Sequence, residues 1–455
     1  MWLESDRMGF LINTVTESAF YNQQEVVQNE KRQSVDNRPY GHTNWVLDKA
    51  IYLEGHPYSW QVIGELVDLQ NATVEDVKEF YRKFYGPNNA TLVLAGDFET
   101  EVAKAMIEKY FGEIKRGEEV VKLNPQPVTI SETKRLYHED NFATAAQLNM
   151  VWPTLEQYTD DAYALDFLGE LLANGKKATM YKVLVEEKEL TSRTTAFNRS
   201  QELAGAFRIR ITANDGVNLA DVEDAIFEAF QKFETDGVTD KDVERIKAGL
   251  ETSFYNDISS ILGKSFQLAQ YNVFAGDPGF ITQDIENIKA VTKEDVMRVY
   301  NTYIKDKHYV ITSFVPKGKV ELAAKDSQLA AVVEEEIKDN VDVSIADTDD
   351  EFVKTPSNFD RSVEPDQGES PKLNIPDSWS VTLANGMTVN GMEHNELPLV
   401  NFSLIIDGGH LLNSFDKIGV ANLITDILME GTANKTRSEE RRVGKECRSR
   451  WSPYH

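Results

Sequence analysis

The same helix start occurs twice in the sequence, at an interval as long as a whole domain. Thr73–Asp76 and Thr292–Asp295 each place a threonine three residues before an aspartate, the pattern of an N-terminal capping box. A β-rich segment follows each predicted helix, at Thr91–Ala95 and at Val310–Phe314, and a Gly-x-Pro turn precedes each. The interval is too long for a solenoid repeat, so the pattern predicts two homologous domains.

The composition allows these domains to bury real cores and excludes several classes of partner. The chain has 455 residues, of which 41% are hydrophobic, and a net charge of −27. No basic stripe is present to meet phosphates, so we predict no nucleic-acid partner. No apolar run approaches the roughly 18 residues of a membrane span. The acidity is either a solubility feature or a set of acidic walls that attract basic peptides.

Common catalytic patterns are missing from the chain. The single cysteine, Cys447, excludes an internal disulfide and a thiolate zinc site. No Gly-x-Ser-x-Gly elbow and no glycine-rich phosphate loop with lysine is present. No two histidines lie three to five residues apart, so the helical histidine pair of many zinc sites is absent. The seven histidines are His42, His56, His138, His308, His394, His410 and His455.

Secondary-structure signals divide the chain into five segments and predict an α+β fold in which helices cover antiparallel sheets. The segments are 1–120, 134–322, an acidic flexible linker at 324–372, a further unit at 373–437 and a basic tail at 438–455 that we predict to be non-native. In the first segment we expect helices at 45–53, 73–84 and 101–111. In the second segment we expect strands at 135–139, 144–151 and 206–212, helices at 160–173 and 179–188, and three helices between 219 and 303. In the fourth, Asn385-Gly386 predicts a hairpin, Val400–Ile406 a strand and Gly419–Met429 a helix.

A helix near the start carries polar residues on its predicted inward stripe. Helical spacing places Phe20, Gln23, Val27 and Glu30 on one face of a helix at about 19–33. An unpaired carboxylate is costly on such a face, and a metal ion would stabilise it. The alternative is that Glu30 is half-exposed and pairs with a nearby lysine or arginine. His56 and His410 are better explained as a turn residue and a strand-end residue than as ligands.

Three stretches resemble the pitrilysin/insulinase family of zinc peptidases, the inverzincins. The first is 26–41, which is similar to the second zinc-ligand helix of that family. The second runs from His56-Pro57-Tyr58 through the capped helix to Gly96-Asp97-Phe98. The third is Leu383–Met387, Pro398–Val400 and 419–432, which is similar to the opening of a further domain in long members. The resemblance implies a tandem of homologous α+β domains, in agreement with the repeated helix start.

The resemblance also implies a zinc site of which this sequence carries one part. In the family an inverted His-x-x-Glu-His helix supplies two zinc ligands and the general base, and a later glutamate completes the site. By its place in the motif that glutamate is Glu30, and Gln23 is implied to orient a ligand by hydrogen bonding. The motif with the histidines is not in the sequence, so we expect segment 1–120 to be the C-terminal part of the zinc-ligand domain and tight Zn²⁺ binding to be absent.

The helix at 419–432 resembles the zinc helix in length and framing but differs at its ligand positions. Asn422, Thr425 and Asp426 stand where the active family domain has His, Glu and His, and these three do not make a comparable zinc site. The resemblance therefore implies that 373–437 begins a catalytically silent domain and that 134–322 is a second, non-catalytic one.

The predicted function is a fragment of a zinc metalloendopeptidase that hydrolyses peptides, inactive without the missing helix. The alternative is a non-catalytic peptide-binding or assembly subunit on the same fold, and a generic scaffold with an accidental resemblance is a third hypothesis. Partners are then peptides, together with self-association of halves. The scarcity of cysteine fits a periplasmic or otherwise exported protein, whose signal peptide would precede residue 1.

Overall fold

The computed structural model describes residues 1–332, 355–366, 368, 370, 372, 375–428 and 431–434. The predicted tail at 438–455 and much of the predicted acidic linker lie outside these residues. None of the helices in the described part of the chain has the length and apolar content that a bilayer crossing requires.

Helices dominate the first 120 residues. They are α1 (Trp2–Phe10), α2 (Glu17–Lys31), α3 (Thr43–Ile51), α4 (Leu66–Asn71), α5 (Val74–Phe84) and α6 (Thr100–Phe111). The predicted helices at 45–53, 73–84 and 101–111 agree with α3, α5 and α6. The strand predicted at Thr91–Ala95 is wrong, because this segment is irregular. Its side chains alternate in exposure as in a strand, but no partner strand pairs with it among the described residues.

A six-stranded mixed sheet forms the centre of the second segment, in the order β3-β4-β2-β5-β1-β6. The pairs β3–β4, β4–β2 and β2–β5 are antiparallel, whereas β1 is parallel to both β5 and β6. The predicted strands at 135–139, 144–151 and 206–212 correspond to β1, β2 and β4, with β2 beginning three residues late. The strands are β1 (Lys134–Asp140), β2 (Gln147–Thr154), β3 (Thr195–Ser200), β4 (Gly205–Thr212), β5 (Val310–Pro316) and β6 (Gln328–Leu329).

Helices from the second segment cover one face of this sheet. They are α7 (Asp160–Ala173), α8 (Leu219–Asp236), α9 (Asp240–Asp257), α10 (Ile261–Gln270), α11 (Ile281–Ala290) and α12 (Lys293–Val299), and a π-helical turn spans Tyr181–Glu187. The helix predicted at 160–173 is confirmed. The three helices predicted between 219 and 303 are wrong in number, because that stretch holds α8 to α12. Turns near Gly237, at 258–260 and around Gly276 divide it.

Both faces of the sheet are buried. Trp152, Phe207 and Tyr300 belong to the large core between the sheet and its helices, and each is no more than 1% exposed. On the opposite face, Leu47 and Ile51 of α3 pack on the sheet. Burial on two sides explains why β2 is an almost continuous buried run, without the alternation of a half-exposed strand. The α+β class predicted from the sequence is confirmed.

The further unit contains a hairpin and a short helix. Strands β7 (Ser378–Thr382) and β8 (Thr388–Met392) pair antiparallel around Asn385-Gly386, and α13 spans Val420–Ile427. Gly386 has φ of 87°, a conformation that favours glycine, so the hairpin prediction is confirmed at the residue on which it rested. The strand predicted at Val400–Ile406 is wrong, because the segment is exposed and no described strand pairs with it.

Both predicted capping boxes form. Thr73 Oγ1 accepts from the Asp76 amide and Thr292 Oγ1 from the Asp295 amide, at 3.2 Å each, and each aspartate accepts from its threonine amide.

We expect Thr292→Ala to lower the free energy of unfolding by about 1 kcal/mol, because an orphan helix amide loses its acceptor. Chemical denaturation measures the change. Thr292→Ser keeps the hydroxyl and is the control, and equal losses in both variants would contradict the capping role.

Candidate functional site

Helix α2 buries a different face from the one predicted. Gln24, Gln28 and Lys31 are the buried residues of this helix, at the same helical spacing as the predicted stripe but one residue further along. One residue is about 100° of helix rotation, which moves the predicted stripe away from the interior. A tertiary contact decides the orientation, because Gln24 Nε2 donates to the Leu69 carbonyl of α4 at 2.7 Å.

Gln23 and Glu30 lie two turns apart on the exposed side of α2. The expectation that Glu30 points inward is therefore wrong: its side chain reaches solvent, as does that of Gln23. Phe20 and Val27, the apolar members of the same stripe, are half-buried. The predicted stripe therefore combines two exposed polar residues with two half-buried apolar ones. No ion pair of Glu30 with a lysine or arginine occurs among the described residues.

The buried end of α2 is tied down by a charged cluster. Lys31 Nζ donates to Asp36 Oδ1 at 3.3 Å, and the same oxygen lies 3.2 Å from His42 Nε2. The His42 ring in turn lies 5.6 Å from the ring of His138 on β1. These contacts link the helical first segment to the sheet. Buried Gln28 has no hydrogen-bond partner for its Nε2 among the described residues.

The described residues do not fit a zinc site. No group of three His, Cys, Asp or Glu side chains is arranged to hold a metal ion anywhere in that part of the chain. Glu30 stands alone on its face of α2, and one carboxylate does not provide the four-coordinate environment that zinc prefers. The orphaned amide of Gln28 lies on the other side of the helix and does not point toward Glu30.

The three positions of α13 that correspond to the zinc-helix ligands differ in their surroundings. Asn422 on α13 is exposed, and Thr425 is half-buried with its Oγ1 donating to the Asn422 carbonyl at 2.6 Å. The side chain of Asp426 lies outside what the structure describes. Thr425 therefore uses its hydroxyl proton within its own helix, a common arrangement for threonine in helices.

The two histidines weighed as ligands have other surroundings. His56 is buried, its Nδ1 accepts from the Tyr58 amide at 3.0 Å, and its Nε2 lies 3.1 Å from the Gln126 carbonyl. Its ring stacks on Tyr52 at 4.6 Å. Both ring nitrogens are thus used by the backbone, which agrees with a turn residue. His410 is exposed at the start of a short 3₁₀ turn.

Sequence reasoning missed one group of polar residues in the second segment. Asp166 of α7 and Asp284 of α11, far apart in the chain, line the same cavity together with Tyr163. A signal for Asp166 does exist in the sequence, because it is the one charged residue in an otherwise uncharged run from Ala162 to Gly169. No pattern in the sequence links Asp166 to Asp284, since the packing of α11 on α7 brings them together.

Comparison with known proteins places these features in a family. Residues 71–250 match the Peptidase M16 inactive domain, which covers the end of the first segment and the start of the second. The chain is 26% identical over 312 residues to the zinc protease PqqE of Helicobacter pylori, covering 67% of this chain and 68% of that protein. It is 25% identical over 247 residues to a Bacillus subtilis protein named "Probable inactive metalloprotease YmfF", covering 53% of this chain and 56% of that protein.

A solved structure agrees with the fold. The crystal structure of a protease from Helicobacter pylori superposes with a TM-score of 0.60 at 24% identity, covering 66% of this chain and 72% of that one. The fold, the inactive-domain match and the relatives all point in the same direction. The chain is similar to the pitrilysin/insulinase-type, or M16, metallopeptidases, and its residues 71–250 match the inactive domain of that family.

Proposed function

We propose that this protein is a non-catalytic, peptide-binding part of an M16-type peptidase, which encloses peptides and does not hydrolyse them by itself. One observation carries the proposal: Glu30, the ligand position that the family resemblance implies, faces solvent without a second ligand beside it among the described residues. The match of 71–250 to the inactive domain supports it. The degenerate positions Asn422 and Thr425 support it as well.

The second candidate function is a zinc metalloendopeptidase in which Glu30 is one ligand and the others come from outside the described residues. The 26% identity to the zinc protease PqqE favours it. Gln23 and Glu30 share one exposed face of α2, so a single partner surface docked there would contact both. Association of this chain with another half of a peptidase is part of this second proposal, and an exported compartment stays a prediction under both.

One variant separates the two functions. We expect Glu30→Gln to leave the zinc content, measured by mass spectrometry after dialysis against Zn²⁺, unchanged, because a lone exposed carboxylate holds zinc weakly. Internally quenched peptides should be cleaved no faster than by Zn²⁺ alone, while fluorescence anisotropy should detect labelled peptides bound to the protein.

The matched control is Glu25→Gln, which changes another exposed glutamate of the same helix. Peptide hydrolysis that is lost in Glu30→Gln and kept in Glu25→Gln would overturn the non-catalytic proposal and establish the second candidate. Absence of peptide binding in the wild-type protein would contradict peptide enclosure directly.

A further inference from the structure

A cavity of about 390 Å³ lies between α7, β3, α9 and α11 of the second segment. Its volume is within the usual range for small-ligand sites. Its walls combine aromatic rings with carboxylates and amides. The residues that matter here are Tyr158, Tyr163, Asp166, Phe167, Asn198 and Asp284.

Asp166 enters the cavity as a carboxylate without a protein partner. Its neighbours in α7 are buried, and its own side chain reaches solvent through the cavity that it lines. No hydrogen bond or ion pair of Asp166 occurs among the described residues. Burial among protein atoms and the nearby charges of Asp284 and Glu170 raise the pKa of Asp166 to about 7.

Asp284 faces the same space and is held in place by two phenols. The hydroxyls of Tyr163 and Tyr271 each donate to its carboxylate, at 2.5 Å. Two such short bonds hold the carboxylate in one position. The two acids of the cavity are thus a firmly positioned Asp284 and an unpartnered Asp166.

No cation of the described chain neutralises this pair from within the cavity. Arg199 is the one cationic residue among those that line it, but Arg199 pairs across the sheet with Ala206, whereas Asn198 pairs with Phe207. Directly opposed residues share a face. Phe207 lies on the helix side and Ala206 on the α3 side, so the Arg199 side chain points to the opposite face of the sheet.

The remaining wall is aromatic and polar without charge. Tyr158 packs on Phe280 at 5.2 Å, and its hydroxyl accepts from Gln270 at 3.0 Å. Asn198 accepts from Thr154 and donates to Ser200, so both ends of this amide already have partners. Aromatic faces beside two carboxylates attract cations, and the satisfied amide wall adds no competing charge.

We propose that this cavity binds an alkylguanidinium or alkylammonium group, supplied by an arginine or lysine side chain of a bound peptide. The inference rests on the proposed peptide-binding function and adds to it a preference for basic side chains. A guanidinium between Asp166 and Asp284 would pair with both carboxylates, and its flat face would lie against a tyrosine ring. A free polyamine offers the same chemistry and is the alternative source.

The protonation of Asp166 makes the site sensitive to pH. The groups that face Asp166 are Asp284 from α11, Glu170 from its own helix, and the phenols of Tyr158 and Tyr163. Because the raised pKa of Asp166 is about 7, its charge is present above that pH and lost below it. Cation binding should therefore weaken as the pH falls from 8 to 6.

Calorimetric titration with small probes tests the site. N-acetylargininamide should bind at pH 8 at least about tenfold more tightly than its neutral isostere N-acetylcitrullinamide, because one charged pairing is lost with the charge. Asp166→Asn should weaken the arginine probe by about tenfold and leave the citrulline probe unchanged. Asp160→Asn, the same change at an exposed position of α7, is the matched control and should alter neither.

The outcomes separate this inference from the function on which it rests. Equal binding of a labelled peptide with one arginine and its citrulline counterpart would overturn the basic preference and leave peptide binding intact. Binding of neither would overturn both. Tighter binding of spermidine than of the arginine peptide would overturn the peptide as the source. If Asp166→Asn fails to fold, an affinity of the wild-type protein that does not change between pH 8 and pH 6 would overturn the site.

Discussion

Arg208→Met is expected to lower the free energy of unfolding by about 3–5 kcal/mol, because it leaves a nearly buried carboxylate without its cation. Arg208 on β4 and Asp48 on α3 are paired at 3.2 Å, with side chains 7% and 15% exposed. A second nitrogen of the guanidinium donates to Asn44 at 3.1 Å. The pair joins the helical first segment to the sheet, so the loss should appear in urea unfolding at pH 7.

Burial controls the energetics of this pair. It raises the pKa of Asp48 and lowers the pKa of Arg208, in each case against the attraction of the partner charge. Desolvation thus outweighs attraction, which predicts that Arg208→Met combined with Asp48→Leu recovers most of the loss. The control is Arg193→Met, which changes an exposed arginine without a side-chain hydrogen bond or ion pair among the described residues and should cost less than about 1 kcal/mol. A single-variant loss as small as that of the control would contradict the pairing argument.

Arg361→Met should release the segment around 355–361 from the first helices. The Arg361 side chain is 9% exposed and donates to Glu113 at 2.7 Å, to Ser5 Oγ at 3.0 Å and to the Tyr110 carbonyl at 3.0 Å. Its guanidinium also lies 3.9 Å from the centre of the Phe10 ring. Removing it leaves the nearly buried Glu113 carboxylate without a cation, at a cost of about 3 kcal/mol.

Limited proteolysis measures that release. A cost of about 3 kcal/mol corresponds to roughly a hundredfold faster chymotrypsin cleavage after Phe359, when opening is fast relative to cleavage. The control is Arg116→Met. The Arg116 side chain is 69% exposed and pairs with Glu119 at the surface, so its removal should leave the cleavage rate unchanged. Equal rates in the wild-type protein and Arg361→Met would show that Arg361 does not hold the segment.

The docked segment should also respond to acid. Burial by itself raises the pKa of Glu113, but hydrogen bonds from Ser357, the Asn358 amide and Arg361 outweigh it, and the net pKa is lowered. A carboxyl group with a lowered folded-state pKa stabilises the fold above its ordinary pKa and loses that contribution as the pH falls through the lowered value. Cleavage at Phe359 by pepsin, which is active in acid, should therefore accelerate at strongly acidic pH, and less so in Arg361→Met.

Local signals predicted those features that depend on neighbours in the chain. The capping boxes at Thr73 and Thr292, helix α7 and the hairpin at Asn385-Gly386 are set by contacts within a few residues, so the sequence suffices. The strands expected at Thr91–Ala95 and Val400–Ile406 failed for the opposite reason. A strand needs a partner from elsewhere in the chain, and none pairs with them in the described part.

The candidate site shows the same division. The order of motifs around Glu30 was sufficient to indicate the M16 family, because those residues are adjacent in sequence. The direction in which Glu30 points depends on the rotation of α2, and the contact of Gln24 with α4 decides it. Helical periodicity gives the spacing of the residues that share one face of a helix. Two such stripes that differ by one residue have nearly the same spacing, so periodicity does not show which of them is buried.

The sequence by itself determined the α+β class, the resemblance to the M16 family and the helix starts, since propensity, capping and motif order are local properties. The tertiary structure alone decided which side of α2 is buried, that Arg208 meets Asp48, and that Asp166 and Asp284 share one cavity. Each of these depends on the packing of elements that are distant in the chain, where long-range contacts and the exclusion of water determine the free energy of every side chain.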